Sequence, residues 1–174
     1  MTSMQLVRPS AHYKDSYLAA MKEFRAEGRK TDFDFAQAET DFATFVQELN
    51  ERPDGKHLPA GFVPESIYWL VDGEEYIGRL SIRHKLNDHL LKIGGHIGYD
   101  IRPSKRGRGY GTAILRLGLP KAKELHVERA LLTCNENNVA SLKIIRKAGG
   151  VLESKAPNPE AGPDKMRFWI DLTA

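Results

Sequence analysis

Apolar residues near the start of the chain recur at helical spacing. Tyr13, Tyr17, Ala20, Met21 and Phe24 share one face of a predicted helix that Ser10 caps and Gly28 stops. Phe42, Phe45, Val46 and Leu49 predict a second amphipathic helix, closed by the turn residues Pro53, Asp54 and Gly55. Residues 28–40 between them are charged and irregular and carry Phe33 and Phe35, whereas 53–64 hold three prolines and two glycines; both read as loops. Long loops of this kind often shape a substrate entrance.

From residue 66 the period changes to two, the signature of strands, after an isolated short strand at 5–8. Residues 66–71 and 76–84 flank an Asp72-Gly73 turn and predict a hairpin. After a turn at Asn87-Asp88, residues 92–101 extend the meander, with Ile97, Tyr99 and Ile101 on one face and His96, Gly98 and Asp100 on the other. An apolar helix follows from Thr112, and Pro120 predicts a kink in it because proline lacks the N–H and crowds the preceding turn. Residues 130–134 form a short buried strand, Asn137 or Asn138 caps a helix ended by Gly149-Gly150, and Met166, Phe168, Ile170 and Leu172 alternate with polar positions in a last strand. The fold class is therefore α/β, an α+β arrangement with a mixed, mostly antiparallel sheet flanked by helices. Residues 92–134 are a candidate parallel crossover, and in such sheets ligands bind where the first strand ends.

A chain of 174 residues is expected to be a single domain, 1–174. Its net charge of +3 is too mild to announce a nucleic-acid partner, but the charge is unevenly spread. Arg102, Lys105, Arg106 and Arg108 fall together with no acid among them, which implies a small partner of concentrated negative charge. Cys134 is the only cysteine, so no internal disulfide or thiolate metal cluster is expected, and a reducing compartment fits. No window reaches the roughly 18 to 20 apolar residues of a membrane span, and residues 1–8 lack an apolar leader core; a cytoplasmic location without membrane contact is expected.

The cationic cluster merges with a glycine turn, Arg106-Gly-Arg-Gly-Tyr-Gly111, that opens directly into the apolar helix. Alternating glycines let backbone N–H groups face an anion, and a helix N-terminus adds the positive end of its dipole. A dinucleotide fingerprint is excluded because Thr112 stands where its third glycine belongs, and a P-loop is excluded because no Gly-Lys-Ser or Gly-Lys-Thr occurs.

Arg106-x-x-Gly109-x-Gly111, preceded by Ile101-x-Pro103, resembles the acetyl-CoA motif of the GNAT N-acetyltransferase superfamily. Asn138-x-x-Ser141 and the Lys147-Ala148-Gly149 ending resemble its next segment, and the residues 94–99 and 69–72 look like a branch of bacterial acetyltransferases of unassigned substrate. The resemblance divides the domain into substrate-side helices and loops (1–65), an acetyl-CoA binding core (66–150), and a C-terminal loop and strand (151–174). It implies that the backbone of Arg106, Gly107, Arg108, Gly109, Tyr110 and Gly111, with Thr112 in the first helical turn, holds the pyrophosphate of acetyl-CoA, while Lys105, Arg106 and Arg108 neutralise phosphates. It also implies that the backbone of Tyr99, Asp100 and Ile101 pairs with the pantetheine arm as an added strand, and that Asn138 and Ser141 contact the same arm. No metal is implied.

Acetylation of an amine needs a proton acceptor for the ammonium and a proton donor for the departing thiolate. Where many relatives carry a glutamate, this chain has His96, the candidate base; where they carry an acidic tyrosine it has Ile145, which leaves Ser141 and Cys134 as candidate donors. Tyr68, Trp69, Phe33 and Phe35 are candidate walls of an acceptor pocket, Arg83 and His84 end the central hairpin nearby, and Glu65, Glu74 and Glu75 are placed to attract a cationic amine. The implied activity is direct transfer from acetyl-CoA to a primary amine of a small molecule or a peptide N-terminus, with a homodimer left open. The missing tyrosine and the histidine in place of glutamate keep a non-catalytic acyl-CoA binding or sensing domain as the alternative.

Overall fold

A computed structural model describes residues 3–173. Strand β1 (Met4–Val7) leads through a short turn of 3-10 helix, Ala11–Tyr13, into helix α1 (Lys14–Ala26). Ser10 caps the turn as the sequence predicts, its side chain accepting from the His12 N–H. The segment expected to be irregular holds a further helix, α2 (Phe35–Thr40), which Asp34 starts by accepting from the Gln37 N–H. It escapes pattern reading because six residues bury only Ala38. Helix α3 (Phe42–Glu51) follows and closes on Gly55 in the left-handed conformation.

Strands β2 (Glu65–Asp72) and β3 (Glu75–Arg83) form the expected hairpin, and β4 (Ile97–Ile101) pairs antiparallel with β3. Residues 92–96, predicted as part of that strand, instead finish helix α4 (Asp88–Lys92) and a double-glycine turn. Helix α5 (Tyr110–Glu124) runs without interruption through Pro120, since its first three turns and its burial of Ile114, Leu115, Gly118 and Ala122 outweigh one missing bond. Strand β5 (Arg129–Asn135), helix α6 (Val139–Lys147), strand β6 (Val151–Ala156) and strand β7 (Lys165–Asp171) complete the chain. Strand β6 has no counterpart in the sequence reading.

The order β1-β2-β3-β4 is one antiparallel sheet and β5-β7-β6 another. The α/β fold with mostly antiparallel strands flanked by helices is as predicted, whereas the parallel ladder between β4 and β5 does not form. The sheets meet at His96, whose backbone N–H donates to the Leu131 carbonyl at 2.8 Å. Beyond that bond a cavity of about 260 Å³ opens between Ile97–Tyr99 and Leu132–Cys134.

Alternation on β2 and β3 sends side chains to two cores. Leu70, Leu80 and Ile82 meet Ile114 and Leu115 of α5 and Phe168 of β7 on one side, while Ile67, Trp69, Val71 and Tyr76 meet Tyr17, Met21, Phe24 and Phe42 on the other. Among the described residues no helix is long and apolar enough to cross a membrane.

Candidate functional site

The glycine turn sits where α5 starts beside the end of β4. Gly107 and Gly109 have φ of +73° and +86°, and a Cβ at either would meet nothing within 4 Å. The turn is therefore both left-handed, which glycine tolerates, and open on its outer side. No side chain caps α5, so its first N–H groups face the open side with the positive helix end. Gly111 has a different reason to be small, since a Cβ there would lie 2.6 Å from the Ile144 Cδ1 of α6.

A cavity of about 440 Å³ runs from this turn along β4 to α6, lined by Tyr99, Asp100, Ile101, Arg106, Gly107, Gly111, Asn138, Ser141 and Ile144, among others. Of the sequence-predicted ligand-holding residues, Lys105, Arg108, Gly109, Tyr110 and Thr112 stand outside its lining. The Tyr110 side chain points elsewhere, its hydroxyl donating to Asp72 at 2.7 Å and tying α5 to the β2–β3 turn. Past His96 no strand among the described residues pairs with the outer edge of β4, so its free backbone groups face the cavity.

The cations of the cluster are mostly engaged. Arg106 forms a bidentate pair with Glu27 at 2.9 and 2.8 Å, Lys105 reaches Glu75 at 2.7 Å, and Arg102 reaches Glu23 at 2.7 Å. Arg108 is exposed and makes no ion pair or hydrogen bond among the described residues. Arg29, which the sequence reading passed over, also lines the cavity.

Three predicted residues converge at the far end. The Tyr99 and Ser141 hydroxyls are 2.9 Å apart, and both also line the cleft between β4 and β5, with Cys134. Asn138 accepts from the Ser141 N–H at 3.1 Å, so its capping role fixes the hydroxyl's position. Burial raises the Tyr99 phenol above its ordinary pKa, the Ser141 hydrogen bond opposing it, and burial likewise pushes the Cys134 thiol up. Both groups are therefore protonated at neutral pH, and Cys134 is a poor nucleophile.

His96 is placed differently. It lines neither this cavity nor the cleft, and its Nδ1 accepts from the Leu131 N–H at 3.0 Å. A neutral imidazole has one lone pair, and here it is used to pin β5, so His96 is not free to take a proton from an amine. Burial and then the Arg83 charge lower its pKa from 6.5. The folded state resists protonation that the unfolded chain accepts, so this contribution to stability is complete above 6.5 and is lost as pH falls through the lowered folded value. Thermal unfolding from pH 8 to about 5 is expected to show this loss, and a smaller one in His96→Asn, whose amide oxygen can accept the same N–H; equal losses in both proteins would remove His96 as the cause.

On the opposite face of the hairpin, β3 directs Arg79, Ser81 and Arg83 to one side. Glu65 is buried among them, bonded to Arg52 at 2.7 Å and to Ser81 at 2.5 Å. It is a partner for arginines and not, as the sequence suggested, a lure for an amine; Glu74 is likewise bound to His12 and Glu75 to Lys105. Desolvation opposes, but hydrogen bonds and arginine charges prevail in holding the Glu65 carboxyl below its usual range. Of the predicted pocket walls, Trp69 and Phe33 line a cavity of about 430 Å³ between α1, α3 and the sheet. Tyr68 lies on the other face under Arg8, Phe35 stacks edge-on behind Phe33, and His84 bonds Ser66 at 2.8 Å.

A sequence model described as the acetyltransferase (GNAT) domain matches residues 7–151. None of the curated proteins compared matches the chain. Among solved structures, the chain is similar to an acetyltransferase from Salmonella typhimurium that modifies the N-terminal serine of ribosomal protein L7/L12, with 20% identity, TM-score 0.66, and 98% and 96% of the two chains covered. It is also similar to the microcin C7 self-immunity acetyltransferase MccE, solved with acetyl-CoA and AMP, with 17% identity, TM-score 0.67, and coverage of 97% and 92%. The acetyl-CoA complex of yncA from Salmonella typhimurium matches with 13% identity, TM-score 0.61, and coverage of 97% and 94%. These likenesses show the fold.

Proposed function

Because the chain belongs to the acetyltransferase (GNAT) family, we propose that it moves an acetyl group from acetyl-CoA directly to a primary amine. The observation that carries this reading is one continuous cavity joining the open glycine turn, the unpaired edge of β4 and the Tyr99–Ser141 hydroxyl pair. These features fit an elongated ligand with an anionic head and an amide-bearing arm. The N–H groups from Gly107 to Gly111 and the start of α5 hold the pyrophosphate, with Arg108 and Arg29 as the nearby cations. The outward backbone groups along Tyr99, Asp100 and Ile101 pair with the arm, Arg106 giving up its bond to the Ile101 carbonyl, and Asn138 keeps its amide N–H₂ for the same purpose. Bound acetyl-CoA supplies an acyl group activated as a thioester.

The acceptor attacks as the neutral amine, its ammonium proton having passed to solvent. The N–C bond forms as the C–S bond breaks; the departing thiolate takes a proton from Ser141, which Tyr99 orients, and the proton shed by the acylated nitrogen returns to that hydroxyl pair through solvent. Burial keeps Cys134 a thiol and so a weak nucleophile, which favours direct transfer over an acyl-enzyme.

Thermal shift with CoA and release of free thiol from acetyl-CoA in the presence of amines test the reading. Stabilisation by CoA with no thiol release from any amine would instead favour an acyl-CoA sensing domain. Ser141→Ala is expected to lower kcat by about 100-fold with CoA stabilisation retained, and Tyr99→Phe by about tenfold. An unchanged kcat in Ser141→Ala would assign the proton to water.

A further inference from the structure

The acceptor's chemistry is written on the face of the sheet opposite α5. The cavity beneath α1 and α3 is walled by Tyr17, Phe33, Phe45 and Trp69 and floored by Arg52 and Arg79. A smaller cavity lined by Arg79, Ser81, Arg83, Gly98, Tyr99 and Asp100 lies between them, sharing Arg79 with the first and Arg83, Gly98 and Tyr99 with the cleft that holds Tyr99 and Ser141. The register places Arg79 opposite Asp100 and Ser81 opposite Gly98. Gly98 itself is covered by the Arg83 guanidinium, 3.2 Å from where a Cβ would stand, so a molecule whose reacting nitrogen enters the cleft beside the Tyr99–Ser141 pair extends from there past Asp100 toward Arg79.

The floor is cationic. Arg52, Arg79, Arg83 and Lys30 face two acids, Glu65 and Asp100, and these are shared unevenly: Glu65 is 2.7 Å from Arg52, and Asp100 is 2.8 Å from Lys30. Arg79 is left 3.7 Å from Glu65, outside hydrogen-bond reach, and its guanidinium makes no hydrogen bond among the described residues. The buried polar atoms of the larger cavity's lining that lack a partner are Arg52 Nε and Trp69 Nε1, both donors, while Asp100 Oδ1 of the smaller cavity is an orphaned acceptor that can take an N–H of the substrate amine. Besides Glu65 and Asp100 at the floor, the acids lining this cavity are Asp32 and Asp34 at its outer mouth, both exposed, with Asp34 occupied as the cap of α2. A guanidinium fork that makes no hydrogen bond, held only in a long ion pair with Glu65, beside orphaned donors suits a carboxylate, and the aromatic walls suit an aromatic side chain.

Resting on the acetyltransferase reading, we propose that the acceptor is an amino acid with an aromatic side chain, its carboxylate held by Arg79 and its ring in the pocket of Tyr17, Phe33 and Phe45. The neutral α-amine attacks the thioester and yields the N-acetyl amino acid and free CoA thiol. Arg79 acts as a specificity residue, recognising the carboxylate and excluding polyamines and other cationic acceptors.

The test compares phenylalanine with phenylalaninamide and phenethylamine, by thiol release and by thermal shift of the CoA complex. Phenylalanine is expected to exceed the other two in kcat/KM by about 10- to 100-fold, the worth of a charged hydrogen-bonded pair, and alone to raise the unfolding temperature further. Arg79→Gln should bring that ratio close to one, and Arg79→Lys should restore part of it; CoA-dependent stabilisation reports that each variant is folded. Equal or better use of the uncharged-tail amines by the wild-type protein, or an unchanged ratio in Arg79→Gln, overturns the proposal and leaves acyl transfer standing. Carboxylate-dependent stabilisation without thiol release supports the anion site and overturns the transfer.

Discussion

A Gly109→Glu variant is expected to lose at least about 100-fold in affinity for CoA, or roughly 2.7 kcal/mol, while remaining folded. Gly109 precedes the first turn of α5 with φ of +86° and has open space where a side chain would grow. The fold therefore absorbs the substitution at the cost of one left-handed residue, about 1 to 2 kcal/mol. The new carboxylate, by contrast, stands beside the free N–H groups and positive helix end that attract the pyrophosphate, and so competes with it as a tethered anion. Calorimetric titration with CoA reads the loss, and Gly109→Ala separates backbone strain from charge. An affinity for the Glu variant within about threefold of the original would place the phosphates somewhere else.

Gly95→Ala is expected to be severely destabilising for so small a substitution. Gly95 has φ of +60°, and a Cβ there would lie 2.7 Å from the Leu131 carbonyl carbon and closer still to its oxygen. That carbonyl accepts the His96 N–H, and the Leu131 N–H in turn donates to the His96 ring. A methyl group thus forces apart the backbone atoms that join the two sheets and exposes both bonds. The combined cost is about 3 to 5 kcal/mol, a fall of about 10 °C in Tm for a domain of this size. Gly107→Ala shares the positive φ but has nothing within 4 Å, and should lose only a few degrees. Scanning calorimetry on the pair decides the point; equal falls would mean that conformation alone, and not the seam, is responsible.

The two long N-terminal helices, the hairpin and the last strand were legible because each buries a regular stripe: Tyr17, Met21 and Phe24 repeat at helical spacing, and Phe168 and Ile170 at a spacing of two. Strand β6 was not, because Val151 and Leu152 are 70% and 44% exposed on a sheet edge and leave no alternation to read. His96 was named as candidate base through the resemblance, by its place before Gly98-Tyr99. Its surroundings were not legible, because reading it on one face with Gly98 and Asp100 assumes a regular strand, but β4 begins at Ile97, and after the left-handed Gly95 the ring lies against Leu131. The glycine cradle was visible as a motif, since its geometry depends on consecutive residues. The Tyr99–Ser141 pair, 42 residues apart, and the arginine row around Glu65 depend on folding and left only a strand's polar face in the sequence.

The ion pairs around the cradle change how a ligand must enter it. Glu23, Glu27 and Glu75 already neutralise Arg102, Arg106 and Lys105, so three of the four cations in that run are balanced before any phosphate arrives. An oxyanion that engages any of these three must exchange with its carboxylate, and such an exchange gains little from bulk Coulomb attraction. Long-range steering falls to Arg108, whose field in cellular salt reaches only about 8 Å. Selectivity then comes from geometry, because a compact inorganic anion cannot both displace Glu27 and reach the edge of β4, whereas an elongated one spans both.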